Sequence, residues 1–256
     1  MNLSMHRATP HHTLANQVVG SISIFHVIAN YLPLMNKELE DNYGVEVDLH
    51  IAGSAALRSV LKYHSRFSTR RDAAYQMPVG DIDFFIGIRK IRDCQGNRDL
   101  EDAGIATRVR GSRSFNNLIH LLGGQGSYIN SMASNNGSES QSGVIHAYQL
   151  APMSLTTPTV IPRFNIIFRE GMYNSTMSQN IEGLFNSFDL DVLECCITLT
   201  NSRRASTRNI TTWTSDFQEA LEQGIAVSKR PLEGPRLEKY TGYLQHLGIQ
   251  SDWGLQ

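Results

Sequence analysis

The sequence predicts an α/β chain of the α+β kind: a mixed β-sheet core flanked by helices, with helical segments at the N and C termini. Three observations predict it. Val47, Leu49 and Ile51 alternate with Asp48, His50 and Ala52, the pattern of a half-buried strand. From that strand onward the patterns follow the order β-α-β-β-β-α-β, a mixed arrangement rather than a doubly wound one. No glycine fingerprint of a Rossmann or P-loop unit accompanies it. With 256 residues, 41% of them apolar, the chain has material for one substantial core and an appendage. It divides into an N-terminal helical segment (1–45), a core (46–200) with a flexible insertion (123–143), and a C-terminal helical region (201–256).

The elements follow in order. Val18, Ile22, Phe25, Ala29 and Leu32 recur at spacings of three and four, so an amphipathic helix begins after Thr13. Pro33 kinks or restarts it, and Asn36–Asn42 continues it. Its serines, histidine and asparagine make it too polar to span a membrane. After the first strand, Gly53 permits a sharp turn, and Ser54 is expected to cap a helix over Ala55–Tyr63. A basic loop with Arg66, Arg70 and Arg71 leads to the strand VGDIDFFI, and a helix covers Phe115–Leu122. Residues 123–143, rich in Gly, Ser and Asn, read as a mobile loop. His146–Met153 and Val160–Arg169 are expected strands, Gln179–Ser187 a helix and Phe188–Leu199 a strand. Ser215-x-x-Gln218 reads as a capping box for Asp216–Gln223, and Pro235 opens a helix running through Leu247 to Gly248.

The chemistry concentrates at residues 47–86. Asp81 and Asp83 stand i and i+2 in an apolar strand, so they share a face. Paired hard oxygen donors suit a magnesium ion that also holds phosphates. The helix opening at Gly53-Ser54 offers free N–H groups to an anion, and the three loop arginines could add charge to the same pocket. Near the C-terminus, Arg236 and Lys239 share a helical face beside Tyr240.

This ordered combination resembles the nucleotidyltransferase superfamily typified by DNA polymerase beta, through Gly53, Ser54, Asp81 and Asp83. Pro162–Phe168, Phe188–Ile197 and Pro235–Tyr240 are similar to segments of the nucleotidyltransferase-like proteins of large viruses, phages and some fungi. The resemblance implies transfer of a nucleoside monophosphate from a nucleoside triphosphate, ATP by default, to a hydroxyl of a protein, an RNA end or a small molecule. It implies magnesium, with manganese as an alternative, held by Asp81, Asp83 and a third ligand. Gly53, Ser54, Arg236, Lys239 and Tyr240 would bind the nucleotide. Two departures stand out. The spacing from Gly53 to Asp81 is long, so the intervening loop must bulge out. The strand Arg163–Phe168 offers Asn165 where a third carboxylate is expected, which leaves Asp189 as the alternative ligand. A catalytically inactive relative with a binding or structural role in a virus or phage is the competing expectation.

Charge is balanced, with 23 basic and 24 acidic residues, so no global positive field exists to hold a long nucleic acid. The three cysteines, Cys94, Cys195 and Cys196, form neither a disulfide framework nor a zinc pattern. Reduced thiols and a cytoplasmic location, host cytoplasm for a viral protein, are the expectation. His120 on its helix and His11-His12 carry no expected role.

Overall fold

The computed structural model describes residues 2–8, 24–77, 81–91, 102–123, 127–129, 143–150, 163–201 and 207–253. Within them the strands are β1 (Leu3–Ala8), β2 (Val45–Ala52), β3 (Asp81–Lys90), β4 (Ser127–Ile129), β5 (Val144–Leu150), β6 (Arg163–Asn174), β7 (Cys195–Thr200) and β8 (Arg208–Thr214). They form one sheet in the order β1-β8-β7-β2-β3-β6-β5-β4. Every neighbouring pair is antiparallel except β3 and β6, which run parallel, so the sheet is mixed as expected.

The two faces of the sheet bury different things. Val45, Val47, Leu49 and Ile51 of β2 and Ile82, Phe84, Ile86 and Ile88 of β3 point into the main core. There they meet Ile28, Leu32, Met35 and Leu39 of helix α1 (Ile24–Tyr43) and Leu57, Val60 and Leu61 of α2 (Ser54–Tyr63). Helices α3 (Arg71–Gln76), α4 (Asp102–Gly111) and α5 (Arg113–Gly123) contribute Ala74, Ile105, Val109, Phe115 and Leu118 to that core. On the opposite face Ala52, Phe85 and Cys196 pack against Ile181, Leu184 and Phe185 of α6 (Met177–Phe185). Gly183 lets α6 come this close: a methyl there would collide with the carbonyl of Gly171.

Further along this second face, β2 buries Glu46, Asp48 and His50. Arg89 of β3 answers the two carboxylates, with Nε 2.6 Å from Asp48 Oδ2 and Nη2 2.9 Å from Glu46 Oε2. His50 Nδ1 lies 2.8 Å from Thr198 Oγ1, and burial, aided by the charge of Arg89, lowers its pKa to about 3, so the ring is neutral. Asn36 of α1 extends the ladder where β7 stops pairing. Its amide donates to Val47 O at 2.9 Å and accepts from Val47 N at 2.7 Å.

The C-terminal part contains α7 (Ser215–Gln223), α8 (Gly234–Leu247) and a two-stranded parallel ribbon of β9 (Ile225–Val227) and β10 (Gln250–Asp252). Both helices close on glycines in the left-handed region, Gly224 and, at the expected position, Gly248.

Several elements differ from the sequence expectation. Two regions expected to be helical place strands in the main sheet: β1 from the N-terminal segment pairs with β8 from the C-terminal region. Helix α1 runs through Pro33 as one helix, and its expected start after Thr13 lies outside the described residues. The loop expected to bulge out between Gly53 and Asp81 is largely helical, a 3-10 turn at Ser65–Arg70 followed by α3. The expected strand Phe188–Leu199 starts only at Cys195, because the Asp191 carboxylate accepts from Val192 N at 2.6 Å and supports a 3-10 turn at Asp191–Leu193. Helix α7 is capped by Thr214 rather than Ser215, its hydroxyl accepting from Phe217 N at 3.0 Å while donating to buried Glu194. Most of the insertion 123–143 lies outside the described residues, and Ser127–Ile129 within it pairs with β5.

Candidate functional site

The antiparallel register sets Ala52 opposite Asp83, so the chain leaves β2 at Gly53 directly beside that carboxylate. Gly53 has φ 70° and ψ −151°, a conformation essentially restricted to glycine, and this turn aims the first turn of α2 at the same place. Ser54 is not the cap it was expected to be: Gly53 is the N-cap, with no side-chain hydrogen bond, and Ser54 is the first helical residue. The opening N–H groups of a helix have no intrahelical partner and favour an anion.

The parallel register sets Asn165 of β6 beside Asp83, and its amide Nδ2 donates to Asp83 Oδ1 at 2.7 Å. Two residues further along that face, Ile167 joins the second core, and Arg169 follows at the edge of a cleft. The cleft, about 270 Å³, is lined among others by Gly53, Ser54, Asp83, Arg169, Asp189, Arg236, Lys239 and Tyr240. Phe85, Phe188 and Tyr243 give it apolar surface.

Arg236, Lys239, Tyr240 and Tyr243 come from α8 at i, i+3, i+4 and i+7, the spacing of one helical stripe. Pro235 fits the first turn, where no N–H is required of it. Asp189 anchors this stripe. It follows α6 on an irregular segment, its carbonyl accepting from Lys229 N at 2.7 Å, and its side chain is only 4% exposed. Asp189 Oδ2 lies 3.2 Å from Arg236 Nη1 and accepts from the Tyr240 hydroxyl at 3.1 Å. Burial, followed by the Asp189 charge, raises the Tyr240 phenol well above its ordinary range, so it stays a donor. Arg169 is pushed down from its ordinary value by burial and by the like charge of Arg230, with smaller contributions that include Arg236. An arginine so placed remains a cation.

Of the eight residues expected to hold the metal ion or the nucleotide, seven border one cleft: Gly53, Ser54, Asp83, Asp189, Arg236, Lys239 and Tyr240. The eighth, Asp81, opens β3 two positions before Asp83 and pairs with Arg163; its side chain lies outside the described residues. The loop arginines do not join the cleft lining. Arg66 pairs with Glu222, and Arg70 donates to the carbonyls of Leu221, Leu247 and Gly248 at helix ends, so they fasten the C-terminal part instead. Sequence reading missed Arg169, although it shares strand parity with Asn165 and ends the apolar run of β6. His120 stays exposed on α5.

Among the described residues, no three His, Cys, Asp or Glu side chains cluster closely enough to hold a metal ion. The donors present, Asp83 and its neighbour Asn165, are oxygen-bearing, which is the chemistry magnesium accepts, with Asp81 as the remaining carboxylate of the strand. No helix among the described residues is long and apolar enough to cross a membrane. No protein-family model matches the chain, and no curated protein matches it.

Proposed function

We propose that this protein is a magnesium-dependent nucleotidyltransferase that moves a nucleoside monophosphate from a nucleoside triphosphate, ATP by default, to a hydroxyl acceptor. One observation carries the reading. Residues from four distant parts of the chain, Gly53-Ser54, Asp83, Asp189 and the Arg236–Tyr240 stripe, meet around a single cleft that carries both carboxylates and cations. A carboxylate to hold a cation, with a helix N-terminus and cations to meet phosphates, is the set of groups that transfer of a charged group requires.

In this reading Asp81 and Asp83 hold the ion, with manganese as an alternative, and Asn165 keeps the Asp83 carboxylate oriented. The first turn of α2 at Gly53-Ser54 receives phosphate oxygens. Arg236 and Lys239 neutralise them, and Tyr240 supports the nucleotide from the same stripe. When bound, magnesium supplies neutralisation of the phosphates and a lower pKa for the acceptor hydroxyl. The acceptor oxygen forms a bond to the α-phosphorus as the bond to the β-phosphate oxygen breaks. Pyrophosphate leaves, and the acceptor proton passes to solvent. The walls of the cleft contribute mainly by positioning the groups.

A second reading is favoured by the pairing of Asp83 with an amide and of Asp189 with an arginine: a catalytically silent member of the same fold with a binding or structural role, including in a virus or phage. Thermal melting with ATP, GTP, CTP and UTP, with and without magnesium, separates the two. A nucleotide shift that requires magnesium and disappears in Asp81→Ala supports the enzyme. No shift with any nucleotide removes it and leaves the silent fold.

A further inference from the structure

Asp189 was the expected third metal ligand, yet its surroundings assign it other work. The oxygen that faces the cleft residues, Oδ2, is already met by two donors, the Arg236 guanidinium at 3.2 Å and the Tyr240 hydroxyl at 3.1 Å. Both donors belong to α8, and both line the cleft beside Lys239. A carboxylate shared by a cation and a phenol has much of its charge answered, whereas a metal ligand must offer that charge to the ion. The backbone of Asp189 is also tied to the segment leading into α8, through Lys229 N and a bridge between Leu190 and Ser228. Side chain and main chain thus fasten the same element.

We propose that Asp189 is a positioning residue: it holds Arg236 and Tyr240 on the cleft wall to meet the phosphates of a nucleoside triphosphate, and the ion is held by the β3 carboxylates without it. This rests on the nucleotidyltransferase reading above and specifies the nucleotide-recognition part of that site. Arg236 is the member in contact with substrate, since its side chain is 41% exposed, while Asp189 acts through it. Arg169 lines the same cleft from the β6 side.

The experiment compares full-length wild type with Asp189→Asn, Arg236→Gln, the double variant and Asp83→Ala. Manganese binding without nucleotide is followed by electron paramagnetic resonance, and magnesium-ATP binding by calorimetry. Asp189→Asn and Arg236→Gln should each weaken ATP by about 10- to 100-fold, the range for losing one charge-assisted contact. The double variant should match the weaker single within about threefold, because both changes break one unit. Manganese binding should stay within about twofold of wild type in both singles and be lost in Asp83→Ala. A manganese loss in Asp189→Asn equal to that in Asp83→Ala overturns the positioning role, and so do single losses that multiply in the double. Arg236→Gln changes a part-exposed helical side chain, so it reports even if Asp189→Asn fails to fold: unchanged ATP affinity in that variant overturns the proposal. Wild type that binds manganese but no nucleotide overturns the nucleotidyltransferase reading itself, and the positioning role falls with it. Wild type that binds both, with multiplying losses, overturns the positioning role alone.

Discussion

Replacing Arg89 with methionine should expose how much of the fold depends on the charged end of the sheet's second face. Cross-strand register places Arg89 opposite Glu46 and diagonal to Asp48, and the guanidinium reaches both carboxylates as well as the carbonyl of Asn201. The Asp48 side chain is fully buried, and that of Glu46 is 4% exposed. Methionine fills similar volume but removes the guanidinium from both buried acids. Breaking a buried pair from one side costs about 3–5 kcal/mol. For a chain of this size that is about 6–20 °C in melting temperature, at roughly 2–4 °C per kcal/mol. The loss should depend on pH in a definite direction. Burial already raises the pKa of Asp48, and Arg89 is the chief influence pulling it back down. Without Arg89 the folded state holds a proton that the unfolded state, near pH 4, has released. Stability of the variant therefore falls as pH rises through that window, and the deficit is largest at pH 7. Urea denaturation of both proteins at pH 7 and pH 4.5 measures it. A deficit under about 1 kcal/mol at pH 7, or one equally large at both pH values, would refute the reasoning.

Three other expectations follow from the same kind of argument. Gly53→Ala should cost about 1–3 kcal/mol from backbone conformation alone, because among the described residues nothing beyond its chain neighbours lies within 4 Å of an added methyl; an unchanged denaturation midpoint would contradict the assigned turn. Without metal, Asp83→Asn should keep stability within about 1 kcal/mol by retaining an oxygen for Asn165, whereas Asp83→Ala should lose about 1–2 kcal/mol; equal losses would show that the 2.7 Å contact contributes nothing. Burial raises the Asp191 pKa to about 6, so wild-type stability should fall by about 1–3 kcal/mol as pH rises from roughly 4 to 6. Asp191→Asn should lack that slope while losing one of the bonds from Val192 and Val227; a slope that persists assigns the titration elsewhere.

What could be read from the sequence is what neighbouring residues decide. The alternation of β2, the Gly-Ser turn and the aspartates of β3 lie close together, and each states its own geometry. The α8 stripe was legible because Pro235 marks its start and helical spacing fixes which side chains align. The edge strands were not. β8 carries Asn209, Thr211 and Thr212, too polar to announce itself, and its partner β1 lies at the other end of the chain. Apolar content made Phe188–Leu199 read as one strand, since the turn at Asp191 depends on a side chain bonding its neighbour's backbone. The arginines between Ser65 and Arg71 suggested a phosphate site because their charge is visible in sequence. That Arg70 instead serves carbonyls at the ends of α7 and α8 becomes apparent only once those helices are placed.

The pairing of β1 with β8 also sets an order of events during synthesis. Leu3 aligns with Thr214 and Ala8 with Asn209, so β1 leaves the ribosome long before its partner β8. Until then its hydrogen-bonding edge has no seat in this sheet, and the core strands β2 and β3 can pair well before it docks. A chain halted before β8 would carry the Gly53 and Asp83 half of the cleft without the α8 half. Synthesis of β8 and α8 thus both seats β1 and completes the basic wall, so a chain halted before them cannot assemble the cleft described above.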